Sequence, residues 1–550
     1  MIPDIMDKMK NTIIACCLLL LSDSSFGQTL QDTLTRIENA MRIYMPQNPG
    51  CQLSIQRNGQ IIYSKAFGLA DLERNVPMTL TSKTEAGSVS KQFTAAAILL
   101  LEQQGKLSQK DDIRKYLPEL KAYGKVITIE QLIHHTSGLK DWGAVAALAG
   151  WERTTKAYTN EDVLEIIAAQ NSLNNIPGAE FIYSNSNYNL MAIIVQRASG
   201  MSLAEFAKKY LFIPAGMTNT EWRDNRNRIV NNRAIAYQLT KSGYEILMPN
   251  EDAYGNGGLL TTTEDLLKWN NYYLSGKFGS PSLLSKQTEV LPFNNGKMND
   301  YGAGLFIQQF RGQPYIQHSG ATAGYRANLE YFPTQNLSIA FLSNTSQFDT
   351  TKIRLANILK DIFIAETSSS ISNTAAPTER VQITTLNNYT GWYKNERDGV
   401  GAQITVQNGE LYLNNALLIS KSDNRFITPS SRWIEFIQPN EFANILPGLD
   451  TIRYTKVTAP EINSAYLQQF IGKYFSAETN AAITVFMKEG KLAIKLKPNA
   501  EYTLQPTYKD GFNIVGFGGN LYFQNEGKVK SYVMKISVSR ARNITYQSVK

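Results

Sequence analysis

The spacing of apolar residues divides this chain more sharply than any other feature. From Cys51 to Phe67 it alternates: Leu53 and Ile55 lead to Arg57 and Asn58-Gly59, and Ile61 and Tyr63 lead away. That pattern predicts an antiparallel hairpin closed by a tight turn. Helical spacing then takes over. Phe93, Ala97, Leu100 and Leu101, with Gly105 as a stop, predict a helix that begins near Ser88. Helical patterns continue through 110–215, including Asn187 to Ser199 with Gly200 as its stop, and return at Thr263 to Leu274. Near residue 314 alternation resumes, with strands predicted at 314–318, 324–332 and 337–343. A helix follows, placing Leu355, Ile358, Leu359 and Ile362 on one face. Strands at both ends with helices between them predict an α+β fold whose antiparallel sheet joins the N- and C-terminal segments of the domain.

Beyond this the character changes again. The stretch Glu366 to Arg380 is rich in Ser, Thr and Ala, lacks apolar periodicity and reads as a linker. The remainder is strand-like and carries a weak internal repeat. Tyr389-Thr390-Gly391-Trp392-Tyr393 matches Phe470-Ile471-Gly472-Lys473-Tyr474, and 18 residues after each central glycine another glycine opens a similar segment, at Gly409 and Gly490. Two small all-β antiparallel modules in tandem, barrel-like or sandwich-like, are expected. Trp392, Trp433, Tyr474 and Tyr522 are expected in their cores. The predicted division is a leader over 1–27, a first folded domain over 28–365, a linker over 366–382, and β-modules over 383–458 and 459–550.

The leader is read from Lys8 and Lys10, the apolar run Thr12 to Leu21 and the small polar segment Ser22 to Gly27. This is the layout of a secretory signal, with cleavage expected between Gly27 and Gln28, so the protein is expected to be exported, periplasmic or extracellular. Lipid attachment at Cys16 is the alternative. Removing the leader leaves Cys51 as the single cysteine and excludes an intramolecular disulfide framework. No apolar run outside the N-terminus approaches the length of a membrane span. The formal charge of +8 is spread along the chain without a basic block, which argues against a nucleic-acid partner. Oligomeric state is not readable from the sequence.

Three short segments carry reactive side chains. In Ser88-Val89-Ser90-Lys91, three residues span nearly one helical turn, so the hydroxyl and the amine project from one face. A serine hydroxyl needs a base before it attacks, and a desolvated lysine can serve. The same spacing recurs at Ser137 to Lys140, in a glycine-containing loop without the helix, and is read there as chance. Tyr183-Ser184-Asn185 leads into a predicted helix and presents a phenol and an amide together. His318-Ser319-Gly320-Ala321 closes a predicted strand, and His318 is the only one of three histidines in such a setting. Taken singly, each segment has a bland reading: a helix N-cap, a chance tripeptide, a structural histidine.

In this order the three segments resemble the serine penicillin-recognising family, which comprises class C β-lactamases, DD-peptidases, related esterases and D-aminopeptidases. The resemblance covers residues 30 to 365 and includes Ile133 to Leu139, Gly257-Gly258-Leu259, Thr262, Asp265 and Leu266 as recurring structural segments. It implies a β-lactamase/DD-peptidase-like sheet with helices. Ser88 would be the acylated nucleophile and Lys91 its activating partner. Tyr183 would be a general base or proton relay, with phenolate character favoured by the nearby cation. Asn185 would bind the substrate amide and orient Lys91. Backbone N–H groups of Ser88 and Ala321 would form the oxyanion hole, and Gly320 would let the strand approach the substrate. No metal or organic cofactor is implied, and His134 and His135 are expected to be structural.

One position departs from the pattern. β-Lactamases and carboxypeptidases of the family carry lysine where His318 stands, and a largely neutral histidine weakens recognition of a substrate carboxylate. His-x-Gly with two appended β-modules is similar to D-aminopeptidase, in which such modules border the active site. The reading is an exported serine hydrolase acting on an amide or ester of a small peptide-like substrate, D-aminopeptidase-like by preference. A β-lactamase, DD-carboxypeptidase or esterase of the same family is the alternative. A noncatalytic cell-wall peptide-binding protein is the alternative of another class.

Overall fold

In the computed structural model the described residues are 31–153, 155–274, 276–347, 355–364, 386–445, 451–527 and 532–549. The expected leader, Cys16 and the expected linker lie outside them. Among the described residues no helix is long and apolar enough to cross a membrane.

The predicted hairpin is present as β1 (Cys51–Arg57) and β2 (Gln60–Phe67). The later strands are β3 (Phe306–Phe310), β4 (Gln313–Thr322), β5 (Tyr325–Phe332) and β6 (Leu337–Ser343). They form one antiparallel sheet in the order β3-β4-β5-β6-β1-β2, so the two ends of the domain meet where β1 pairs with β6. Side-chain alternation splits β6 between two cores. Leu337, Ile339 and Phe341 face one cluster with Leu53, Ile55 and the helical segment 31–41, while Ala340 and Leu342 face the other.

That second, larger cluster contains the central helices. They are α1 (Lys91–Gln103), α2 (Trp142–Leu148), α3 (Asn185–Ser199) and α4 (Thr263–Leu274). Each fully buried Leu or Ile there contributes about 1.5–3 kcal/mol. Helix α5 (Leu355–Phe363) covers the opposite face through Leu359, but Ile358 is exposed, so the expected four-residue apolar stripe is narrower than its spacing implied.

Two β-structures follow. Nine antiparallel strands between Gly391 and Val457 curl around Tyr393, Phe426, Phe436 and Phe442. Eight more, from Gly472–Ser476 to Ala541–Val549, close into a barrel. The sequence repeat has a structural counterpart: the Tyr393 hydroxyl donates to the Tyr389 carbonyl at 2.8 Å, and that of Tyr474 donates to the Phe470 carbonyl at 3.0 Å. Of the four aromatics expected in the cores, Tyr474 is fully buried, whereas Trp392, Trp433 and Tyr522 are only half-buried.

The barrel docks on the first domain. Val145 and Leu148 of α2 belong to its apolar core. Lys140 Nζ meets Glu478 Oε2 at 2.8 Å, with both side chains at most 3% exposed. Glu180 receives Arg397 at 3.0 Å and Arg542 at 2.9 Å, one from each β-structure.

Candidate active site

Ser88 lies in the 3₁₀ turn Gly87–Ser90, which runs directly into α1 at Lys91. The predicted helix start is therefore one tighter turn followed by α-helix, and it holds both side chains on one face. Lys91 Nζ stands 3.1 Å from Ser88 Oγ, 3.0 Å from Asn185 Oδ1 and 2.5 Å from the Asn256 carbonyl oxygen. Three acceptors thus match the three donors of an ammonium, without a carboxylate among them. Lys91 is completely buried. Burial pushes its pKa well below the usual lysine value, and the positive charges of Arg540 and Arg153 push the same way against Asp141 and Glu251.

Asn185 opens α3. Its backbone N–H donates to Asp141 Oδ2 at 2.7 Å, so a residue from the start of α2 satisfies a helix end that Ser184 does not cap. Tyr183 precedes it, its ring centroid 4.9 Å from Lys91 Nζ. The Tyr183 hydroxyl is buried without a hydrogen bond of ordinary geometry. Burial raises its pKa, while the neighbouring Ser88 hydroxyl and Arg540 pull it down by less. This corrects the expected phenolate character: burial outweighs the neighbouring cations and favours the phenol at Tyr183, while it lowers the Lys91 pKa.

His134 and His135 hold this region together, as expected of structural residues. The His134 ring contacts the Tyr301 carbonyl at 2.9 Å. His135 Nδ1 accepts from the Ser184 N–H at 3.2 Å, and its ring centroid is 4.4 Å from that of Tyr183. The second Ser-x-x-Lys copy is not a paired site: Ser137 donates to Asn187, and Lys140 turns to Glu478.

Across the cleft, β4 carries His318, Gly320 and Ala321. His318 Nδ1 is 2.6 Å from the Ser319 carbonyl, which can only accept, so Nδ1 carries the proton and Nε2 accepts from the Tyr301 hydroxyl at 3.1 Å. Burial, reinforced by Lys91, lowers the His318 pKa to about 3. The ring is neutral throughout the physiological range, more firmly than its unperturbed value implied. Gly320 faces the turn before Ser88. A Cβ there would enter the contact shell of the Ala86 carbonyl oxygen and lie 3.0 Å from Ser88 N. Gly87, at φ +50°, presses equally close to Ala321 N, where a Cβ would sit at 2.6 Å. The two backbones that carry the Ser88 and Ala321 amides are therefore packed directly against each other.

The seven expected site residues are brought together around or beneath a cleft of about 480 Å³, with Lys91 underneath Ser88. Its lining also contains residues the motifs did not reveal: Arg153, Asn256, Arg326 and Arg540. Arg540 comes from the tip of the hairpin formed by β7 (Tyr532–Val538) and β8 (Ala541–Val549) in the barrel, and its guanidinium is 4.9 Å from the Tyr183 ring centroid. Among the described residues, no carboxylate lines the cleft.

A hydroxyl held against a buried amine, beside a phenol and two abutting backbone amides, is the arrangement of a serine acyl-transfer enzyme on an α+β scaffold. The family model described as Beta-lactamase matches residues 35–360, and the chain belongs to that family. It is a serine hydrolase of the β-lactamase and penicillin-binding-protein group. A penicillin-binding protein of Bacillus subtilis (strain 168) is 28% identical over 372 residues, covering 64% of this chain and 81% of the relative. The octameric penicillin-binding protein homologue from Pyrococcus abyssi shares the fold with a TM-score of 0.51 at 22% identity, over 78% of this chain and 100% of that one. The D-amino acid amidase from Ochrobactrum anthropi SV3 does so with a TM-score of 0.51 at 17% identity, over 60% of this chain and 98% of its own.

Proposed function

We infer that the protein is an exported hydrolase that forms an acyl-enzyme at Ser88 and releases it to water, cleaving an amide or ester of a small peptide-like substrate. The observation that carries this reading is the buried Lys91 amine 3.1 Å from the Ser88 hydroxyl. With its pKa depressed, Lys91 takes the Ser88 proton as the hydroxyl attacks. Tyr183, kept as a phenol, passes a proton to the departing group. The Ser88 and Ala321 amides receive the developing oxyanion. Asn185 holds Lys91 and offers its amide to the substrate. Water then attacks the ester, giving a proton to the Tyr183 oxygen that lost one in the first step, while Lys91 returns its proton to Ser88 Oγ.

Within this class, the sequence favours a D-aminopeptidase-like enzyme; the neutral His318 and the docked barrel support that reading, and the likeness to a D-amino acid amidase supports a D-configured substrate. A second reading is favoured by the wall of the cleft. Arginines line it and no described carboxylate does, so an anionic substrate end fits better than a free α-ammonium. Paired D- and L-alanine p-nitroanilides, a nitrophenyl ester and nitrocefin, each followed with the wild type and with Ser88→Ala, test the proposal. Turnover of the D-anilide that vanishes in the variant supports the aminopeptidase reading. Nitrocefin turnover supports the carboxylate reading. Absence of turnover and of acyl adduct with every probe, in a folded protein, favours the noncatalytic peptide-binding alternative.

A further inference from the structure

The geometry points to Arg540, a residue of the C-terminal barrel, as the group that binds a substrate carboxylate on the leaving-group side of the scissile bond. This rests on the acyl-enzyme reading above and assigns the barrel a part in specificity.

The Arg540 guanidinium lies 4.9 Å from the Tyr183 ring centroid and lines the same cleft as Ser88 and His318. Tyr183 donates the proton to the group that departs, so the cation beside Tyr183 meets that half of the substrate. Of the other arginines lining the cleft, Arg153 Nε is 3.0 Å from Glu251 Oε2, and Arg326 Nη1 donates to the Ala323 and Tyr325 carbonyls at 2.9 and 2.7 Å; beyond the cleft, Arg397 and Arg542 both reach Glu180. Among the described residues Arg540 makes neither an ion pair nor a side-chain hydrogen bond, although it is half-buried. A partly desolvated guanidinium without an anion is unfavourable until one arrives, and its planar fork matches a carboxylate in bidentate geometry. His318, which occupies the expected place of a cation, is neutral and turned toward Tyr301 and its own strand.

Its position is set through the main chain. The Arg540 carbonyl accepts from the Asp141 N–H and from Asn174 Nδ2, each at 3.0 Å. The Arg542 N–H donates to Asn174 Oδ1 at 2.8 Å. Asp141 in turn holds the Asn185 N–H, and Asn185 holds Lys91, so a short chain of hydrogen bonds links the hairpin tip to the catalytic lysine. Replacing the Arg540 side chain leaves these main-chain contacts in place.

The test compares two N-benzoyl-D-alanyl thioesters, one whose leaving thiol is thioglycolate, with a free carboxylate, and one whose leaving thiol is the corresponding carboxamide. The full-length wild type, Arg540→Ala, Arg540→Lys and Arg540→Glu are assayed for kcat/KM, with acyl adducts recorded by intact mass. The wild type is expected to favour the carboxylate. Arg540→Ala is expected to lower the carboxylate-to-carboxamide ratio by about 10- to 100-fold, the scale of a charge-assisted hydrogen bond. Arg540→Lys should recover part of the ratio, and Arg540→Glu should invert it. An unchanged ratio in Arg540→Ala would overturn the inference, whether both rates hold or both fall equally as they would for a packing residue on Tyr183. Wild-type turnover without a carboxylate preference sinks this inference alone. Failure of both thioesters to acylate the wild type removes the reading beneath it.

Discussion

Replacing Gly320 by alanine tests whether the close approach of β4 to the nucleophile turn sets the reactive geometry. The new Cβ would enter the shell of the Ala86 carbonyl oxygen while lying 3.0 Å from both the Ala86 carbonyl carbon and Ser88 N. An ordinary carbon–oxygen contact of about 3.3–3.6 Å then requires strand and turn to separate by about 1.5 Å. Both neighbours are backbone, so no flexible side chain can give way. Overpacking of this kind costs about 1–3 kcal/mol of stability. The catalytic penalty should be larger: the separation carries the Ala321 amide away from the Ser88 amide, and a misplacement of about 1 Å costs about 100-fold in rate. The assay is kcat/KM on a nitrophenyl ester alongside thermal unfolding, with circular dichroism to show that the variant is folded. A folded Gly320→Ala protein with activity within about threefold of wild type would refute the argument, because the hole would then tolerate the displacement.

Three further outcomes follow from the buried groups. Glu478→Gln leaves the Lys140 ammonium at the docking face without its counter-charge, a change worth about 3–5 kcal/mol when a buried pair is broken; with both groups nearly unexposed, limited proteolysis and calorimetry should show the barrel melting separately from the first domain. The His318 pKa near 3 predicts that kcat/KM shows no inflection near 6.5 from this residue. The same shift makes stability fall as pH drops from the unfolded value toward 3, since the unfolded histidine binds a proton that the buried one refuses. His135, also lowered by burial, adds in the same direction. Acid unfolding of the wild type and of His318→Gln, with a flatter profile for the variant, checks this.

What could be read from the sequence was local. The Asn58-Gly59 hairpin and the helix Thr263–Leu274 follow from residues close together along the chain, and so do Ser88 with Lys91 and Tyr183 with Asn185. Helical spacing alone starts α3 at Asn187, two residues late, because the N–H of its first residue is held by Asp141, 44 residues earlier, and no periodicity marks such a partner. Asn256 and Arg540 escaped for the same reason: they reach Lys91 and Tyr183 from 165 and several hundred residues away. Lys140 illustrates the converse, since its spacing from Ser137 imitates a reactive pair while its environment makes it an anchor for Glu478. Trp392 and Trp433 have the hydrophobicity of core residues, but both are only half-buried. Whether the β-modules touch the site depended on surfaces from distant segments, and Arg540 beside Tyr183 supplies that contact.

The most direct test is the bond itself. The full-length protein is mixed with a slowly deacylating nitrophenyl ester or β-lactam, quenched in acid, weighed intact and then mapped by peptide mass, with Ser88→Ala and Lys91→Ala treated identically. One acyl group per chain is expected, mapped to Ser88, absent from Ser88→Ala and formed far more slowly in Lys91→Ala. An adduct on another residue, or one that persists in Ser88→Ala at the wild-type rate, would contradict it.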